Sequence, residues 1–156
     1  MKYKIYFFSL GTVSSFFGLM SVLAVLHGKD FIVGIIGFPS DIFRGGWGGV
    51  ILLFSGLFYI HGIKKLEDIH HRAELFIGSA MIWILGGSEI LRIFLESIPG
   101  EEGWFNSFEN FLSHYFPPYH PSILLLPFSL VILLMERYYG EKHSEKDSRR
   151  YKRREG

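Results

Sequence analysis

The chain alternates between long apolar runs and short polar connections. From Ile5 to Leu26 no charged residue interrupts 22 positions. From Gly45 to Ile63 none interrupts 19, and His61 is the only imidazole there. A soluble helix of that length keeps a polar face toward water. These two stretches have none, and each reaches the roughly 20 residues that cross about 30 Å of hydrocarbon. A third run over 73–95 is uncharged between Leu75 and Ser88, with Glu74 at its entrance and Glu89 and Arg92 near its exit. A fourth, over 121–138, carries Pro127 in its middle. The proline predicts a kink, which neighbouring helices can accommodate by satisfying the freed carbonyl.

The connections have patterns of their own. Phe31–Pro39 is apolar but too short to span, so it is expected at an interface or as a partly buried loop. The segment 64–72 is charged. Between the third and fourth runs, Trp104, Phe105, Phe108, Phe111, Leu112, Tyr115 and Phe116 fall on one face of a helix. An aromatic face of that kind suits a helix lying flat at a membrane surface, ended by Pro117 and Pro118. Beyond Gly140 the chain is charged and has no apolar face, which predicts an extended or frayed tail.

These elements predict an all-α integral membrane protein. Four transmembrane helices at about 5–26, 45–63, 73–95 and 121–138 lie in a domain over 1–140. One interfacial amphipathic helix occupies the 103–116 outer loop, and a charged tail covers 141–156. A cleaved signal peptide is the rival reading of the first run. Its apolar core would normally be about 7–15 residues long, and Ala24-Val25-Leu26-His27 makes a poor cleavage site. The run is therefore read as retained.

The net charge of +1 says little, but its distribution decides orientation. Four spans put the N-terminus, the 64–72 loop and the tail on one side. Thirteen of the sixteen Lys and Arg residues lie there. Only Lys29 and Arg44 lie on the other side, and Arg92 is within the third span. Lysine and arginine concentrate in cytoplasmic loops, so both termini are expected in the cytoplasm and the protein in the cell membrane. The chain has no cysteine and no glutamine, and only two asparagines. Disulfides and thiolate chemistry are thereby excluded. The depletion matches heat-adapted proteins and also what chance gives in a short chain, so thermophily stays open.

Candidate chemistry is sparse. Glu89, Arg92 and Glu96 share a helical face at i, i+3 and i+7, and Arg44 with Asp41 could join them in an outward-facing polar cluster. Ionisable groups within a span are functional candidates; a structural ion pair with Arg92 snorkelling outward is the plainer reading. His61, His70, His71 and Glu74 could offer a metal or haem site, but their spacing is unspecific, so no cofactor is expected. Gly45, Gly49, Gly78, Gly86 and Gly87 are small enough for close helix packing, which would make spans two and three the packed centre. Arg149, Arg150, Lys152, Arg153 and Arg154 could contact anionic lipid headgroups. No phosphate loop, nucleophile elbow or zinc-protease motif occurs, and no family resemblance is carried by the residues.

Three functions fit this inventory. A non-catalytic accessory, assembly or interaction subunit of a membrane complex is favoured by small size and few intramembrane polar groups. A subunit of an oligomeric transporter or channel would need a polar route. A small membrane-embedded enzyme would have to use Glu89 and Arg92, or His70 and His71. Expected partners are the bilayer and either another membrane protein or further copies of the chain, with no nucleic acid.

Overall fold

A computed structural model describes residues 2–98 and 108–139. Among them, four helical stretches are long and apolar enough to cross a membrane: Lys2–His27, Ile42–Lys65, Ile69–Glu96 and Pro121–Tyr139. Each runs at or beyond the limits read from hydropathy, because charged residues were assigned to connections that the structure builds into helix ends. The clearest case is α3, Ile69–Glu96. Asp68 precedes it with extended backbone and accepts the His70 amide at 3.0 Å, a side-chain cap that starts the helix ahead of its apolar run.

Helix α1 (Lys2–His27) and helix α2 (Gly48–Gly62) run antiparallel in the closest contact of the molecule. Their buried positions recur every three or four residues: Leu10, Ser14, Gly18 and Ser21 on α1; Gly49, Leu52, Gly56 and Tyr59 on α2. That 3.5-residue average keeps one stripe facing a partner along its length. Glycines meet at two levels, Gly11 with Gly56 and Gly18 with Gly49. A methyl group on Gly18 would lie 2.6 Å from the Gly49 carbonyl oxygen and 2.5 Å from the Leu53 nitrogen, so no side chain fits. The tightest packing therefore joins the first and second helices, where the sequence had placed it between the second and third. Gly78 does approach α2, 3.0 Å from the Ser55 carbonyl oxygen, and Gly86 faces Ser122 and Leu126 of the fourth stretch. Gly45 is pressed against the Pro39 carbonyl, and Gly87 has open space before it.

Buried hydroxyls tie the helices together through main-chain acceptors. Ser14 donates to the Leu52 carbonyl at 2.9 Å and Ser55 to that of Gly78 at 2.8 Å. Tyr59 and Ser79 share a hydrogen bond of 2.7 Å. Around them an apolar cluster of Phe7, Leu52, Leu75, Ile82, Ile132 and Met135 fills the interior.

The fourth stretch comprises α5 (Pro121–Ser129) and helical residues 131–139, divided by a turn at Leu130. The break falls three residues after Pro127. Tyr6 donates to the Phe128 carbonyl there at 2.8 Å, and the Trp83 indole donates to Ser129 at 2.8 Å. Neighbouring helices thus supply polar partners where the ladder fails.

The nine-residue apolar segment after α1 is a β-hairpin, an addition to the all-α expectation. Strands β1 (Phe31–Val33) and β2 (Ile36–Phe38) pair Phe31 with Phe38 and Val33 with Ile36. Two residues remain for the turn, and Gly34 takes φ +62° at the first of them, a position that favours glycine. A parallel bridge joins Ile36 to Tyr119: the Gly37 amide donates to Tyr119 at 2.9 Å and the Tyr119 amide to Ile35 at 2.8 Å. A π-helical turn over Ile42–Trp47 then leads into α2. Of the helix expected over 103–116, residues 103–107 lie outside the described residues, and α4 covers Phe108–His114. Its aromatic face is divided. Phe111 stacks on Tyr115 and approaches Phe94, while Phe108, Leu112 and Phe116 are exposed.

Candidate functional site

The fold gathers charge at two opposite ends. At the hairpin end, the π-helical turn carries Arg44 to α3. Asp41 caps that turn, accepting the Arg44 amide at 2.7 Å. The Arg44 side chain grips Glu89 with both faces of its fork, Nε to Oε1 at 2.9 Å and Nη2 to Oε2 at 3.1 Å. Arg92 donates to Glu89 Oε2 at 3.1 Å and also to Glu96. Glu89 is the buried centre, its side chain 8% exposed, whereas Arg44 and Arg92 are more than a third exposed. All four residues picked from the sequence therefore form one chain of ion pairs, with Asp41 holding the backbone rather than a cation. Bidentate guanidinium–carboxylate pairing fixes orientation as well as charge. Both oxygens of Glu89 are occupied by cations, an arrangement suited to joining α3 to the turn before α2.

Two neighbours were not marked by the sequence. Asp30 accepts both the amide and the hydroxyl of Ser40 at 2.7 Å, which closes the hairpin. Those hydrogen bonds, from the Ser40 hydroxyl first and then its amide, hold the Asp30 carboxyl below its usual value. His120, just ahead of α5, is 4% exposed, and its Nδ1 meets the Ser122 hydroxyl at 2.7 Å. Burial pushes its pKa down, opposed by the charge of Glu89. Its Nε2 is buried without a hydrogen-bond partner. Asp30, Arg44, His120 and the hairpin line an open cavity of about 120 Å³. A lone histidine among apolar residues gives no sequence signal of such a position.

At the opposite end, α1 begins, α2 ends, α3 begins and the fourth stretch finishes. Tyr3 and Tyr138 lie 6.2 Å apart there. His61 bonds Glu74 at 2.6 Å, and its ring stacks on His71 with centroids 5.6 Å apart. His71 Nδ1 is 3.6 Å from Asp68, and His70 is exposed. Capping of the His70 amide holds Asp68 below the ordinary carboxylate range. Among the described residues no three His, Cys, Asp or Glu side chains are grouped as a metal would require. Arg72, read from the sequence as part of a charged connection, is instead buried between Glu136, 3.4 Å away, and the face of Tyr139, 5.5 Å from its centroid. The tail residues Arg149, Arg150, Lys152, Arg153 and Arg154 lie outside the described residues.

Comparison of the chain with protein-family models, curated proteins and solved structures returned no match.

Proposed function

We propose that this chain is a four-span integral membrane protein with both termini in the cytoplasm, serving as a non-catalytic accessory or assembly subunit. One observation carries the reading: the helices present an apolar exterior. Large apolar side chains such as Ile5, Phe16, Phe54, Ile84 and Leu134 stand at least half exposed or nearly so along the helices, while serines at 14, 55 and 79 are fully buried. In water an apolar exterior of that extent would associate. In lipid it is the required surface, and small residues with interhelical hydrogen bonds hold the interior. The cationic bias supports the orientation, since the lysine end also gathers the start of α1 and the end of the fourth stretch.

The accessory role is supported by how the polar groups are used. The Arg44–Glu89 pair joins α3 to the turn before α2, Arg92 pairs with Glu89 and Glu96 within α3, and the buried hydroxyls of Ser14 and Ser55 donate to main-chain carbonyls. Exposed Phe108 and Leu112 of α4, with Phe116 just beyond it, offer a surface for a neighbouring protein.

The test uses the absence of native cysteine. Single cysteines at Glu67 and at Lys29 are to be probed with an impermeant thiol reagent in intact cells. The expected result is labelling at position 29 and none at 67. Labelling at 67 would overturn the orientation. Purification in mild detergent should then yield a heteromeric particle; a chain that stays monodisperse without surfactant would overturn the membrane reading itself.

A further inference from the structure

We infer that the lysine end holds a binding site for a phosphate-bearing anion, formed by Lys4, Lys64 and Lys65. The inference rests on the membrane reading for where the site sits, but its chemistry is read from the pocket alone. A cavity of about 620 Å³ opens there, walled by these three lysines together with Tyr3, Tyr139 and Glu67. That volume lies within the range of ligand pockets. The lysines come from separate segments: Lys4 from the first turns of α1, Lys64 and Lys65 from the 3-10 turn after α2. Lys4 is held in place by donating to the Lys64 carbonyl at 3.3 Å, which leaves its other N–H groups free to turn inward.

The decisive feature is that none of the three lysines forms an ion pair among the described residues. Two carboxylates share the wall, and neither forms a close ion pair with a lysine. Asp68 is committed to capping α3, and Glu67 stands exposed without a bond. Three ammonium groups against two carboxylates leave the wall with a net positive charge, which favours an anion. The start of α3 adds the positive end of a helix to the same wall. Tyr3 and Tyr139 add aromatic side chains to the wall, which suits a phosphate that carries an organic group. A phosphodiester headgroup at the cytoplasmic membrane surface has this chemistry, and so does a soluble phosphomonoester. Basic pockets at that depth bind anionic headgroups.

The full chain, tail included, is compared with the Lys4→Gln, Lys64→Gln, Lys65→Gln triple variant by native mass spectrometry. Three arms are run: micelles doped with phosphatidylglycerol, micelles doped with phosphatidylcholine, and micelles with glycerol 3-phosphate. The tail is the same in both proteins, so any difference belongs to the pocket. Circular dichroism establishes that the variant is folded, and the single Lys64→Gln variant serves if it is not. Retention of phosphatidylglycerol over phosphatidylcholine, weakened about tenfold or more in the variant, assigns a lipid headgroup. Lysine-dependent binding of glycerol 3-phosphate without that lipid preference assigns a soluble phosphate. Equal binding by both proteins in every arm overturns the site. Failure of the membrane reading is separately visible as a protein that needs no detergent, in which case glycerol 3-phosphate still tests the pocket.

Discussion

The two charged ends of this molecule are built on opposite terms. At the hairpin end, Arg44 and Arg92 both lie on carboxylates, and the buried Glu89 is gripped from two elements. At the other end, Lys4, Lys64 and Lys65 share a cavity with Glu67 and Asp68 yet pair with neither. The difference follows from side-chain chemistry. A planar guanidinium matches a carboxylate at two points and stays paired on a half-buried surface; an ammonium is a strongly hydrated point charge on a flexible stem. The first end is a structural joint. The second keeps its charge available to something outside the chain.

Four substitutions or titrations break or sharpen that contrast. The largest effect is expected from Gly18→Leu, which drives a side chain into the backbone of α2 and separates the helices that hold both ends in register. A loss of about 3 kcal/mol is expected for overpacking at a backbone contact, read as a lowered unfolding midpoint in detergent. Glu89→Gln comes next. It leaves Arg44 and Arg92 without their shared anion, and because both are partly exposed the expected cost is about 2 kcal/mol, below that of a fully buried pair. An unfolding midpoint equal to that of the parent protein would remove the joint from the account.

Acidification should then act on the hairpin end through His120. Its folded pKa is depressed by burial, so the unfolded chain binds the proton more readily. Its contribution is complete above the ordinary histidine value of 6.5 and is lost as pH falls from there toward the folded value. The unfolding temperature should fall between pH 7 and 5.5, and less so in His120→Gln. Smallest is Lys64→Gln, which breaks no ion pair and should change stability by less than about 0.5 kcal/mol. A larger loss would mean that this lysine is structurally engaged after all.

Hydropathy alone places the four long helices, because uncharged runs such as 5–26 have one stable arrangement. Their ends were less legible: Asp68 reads equally well as a loop residue or a cap, and only the backbone direction decides. The hairpin over 31–38 left a local trace, in β-branched residues flanking Gly34, but its apolar length suggested only an interfacial segment or a partly buried loop. Of the four glycines that meet between α1 and α2, only Gly49 was singled out from the sequence; Gly11, Gly18 and Gly56 were not. Which pair would meet was not legible, since that depends on how two helices slide against each other. The Arg44–Glu89 contact joins positions 45 residues apart. Arg44 could be named as a companion of Glu89 once the spans were ordered, but its two-point grip needs the π-helical turn. His120 and the Tyr6–Phe128 bond had no local sign, because each arises from packing between distant segments.

The bridge between 35–37 and Tyr119 constrains motion in a further way. Its two bonds are between peptide groups, so exchanging side chains at these positions leaves the donors and acceptors in place, proline excepted. The strap ties the first pair of helices to the last one at the hairpin rim. A carrier that alternates access by rocking the first two helices against the last one would have to unfasten these bonds in every cycle. A hinge of that kind is better placed away from this strap.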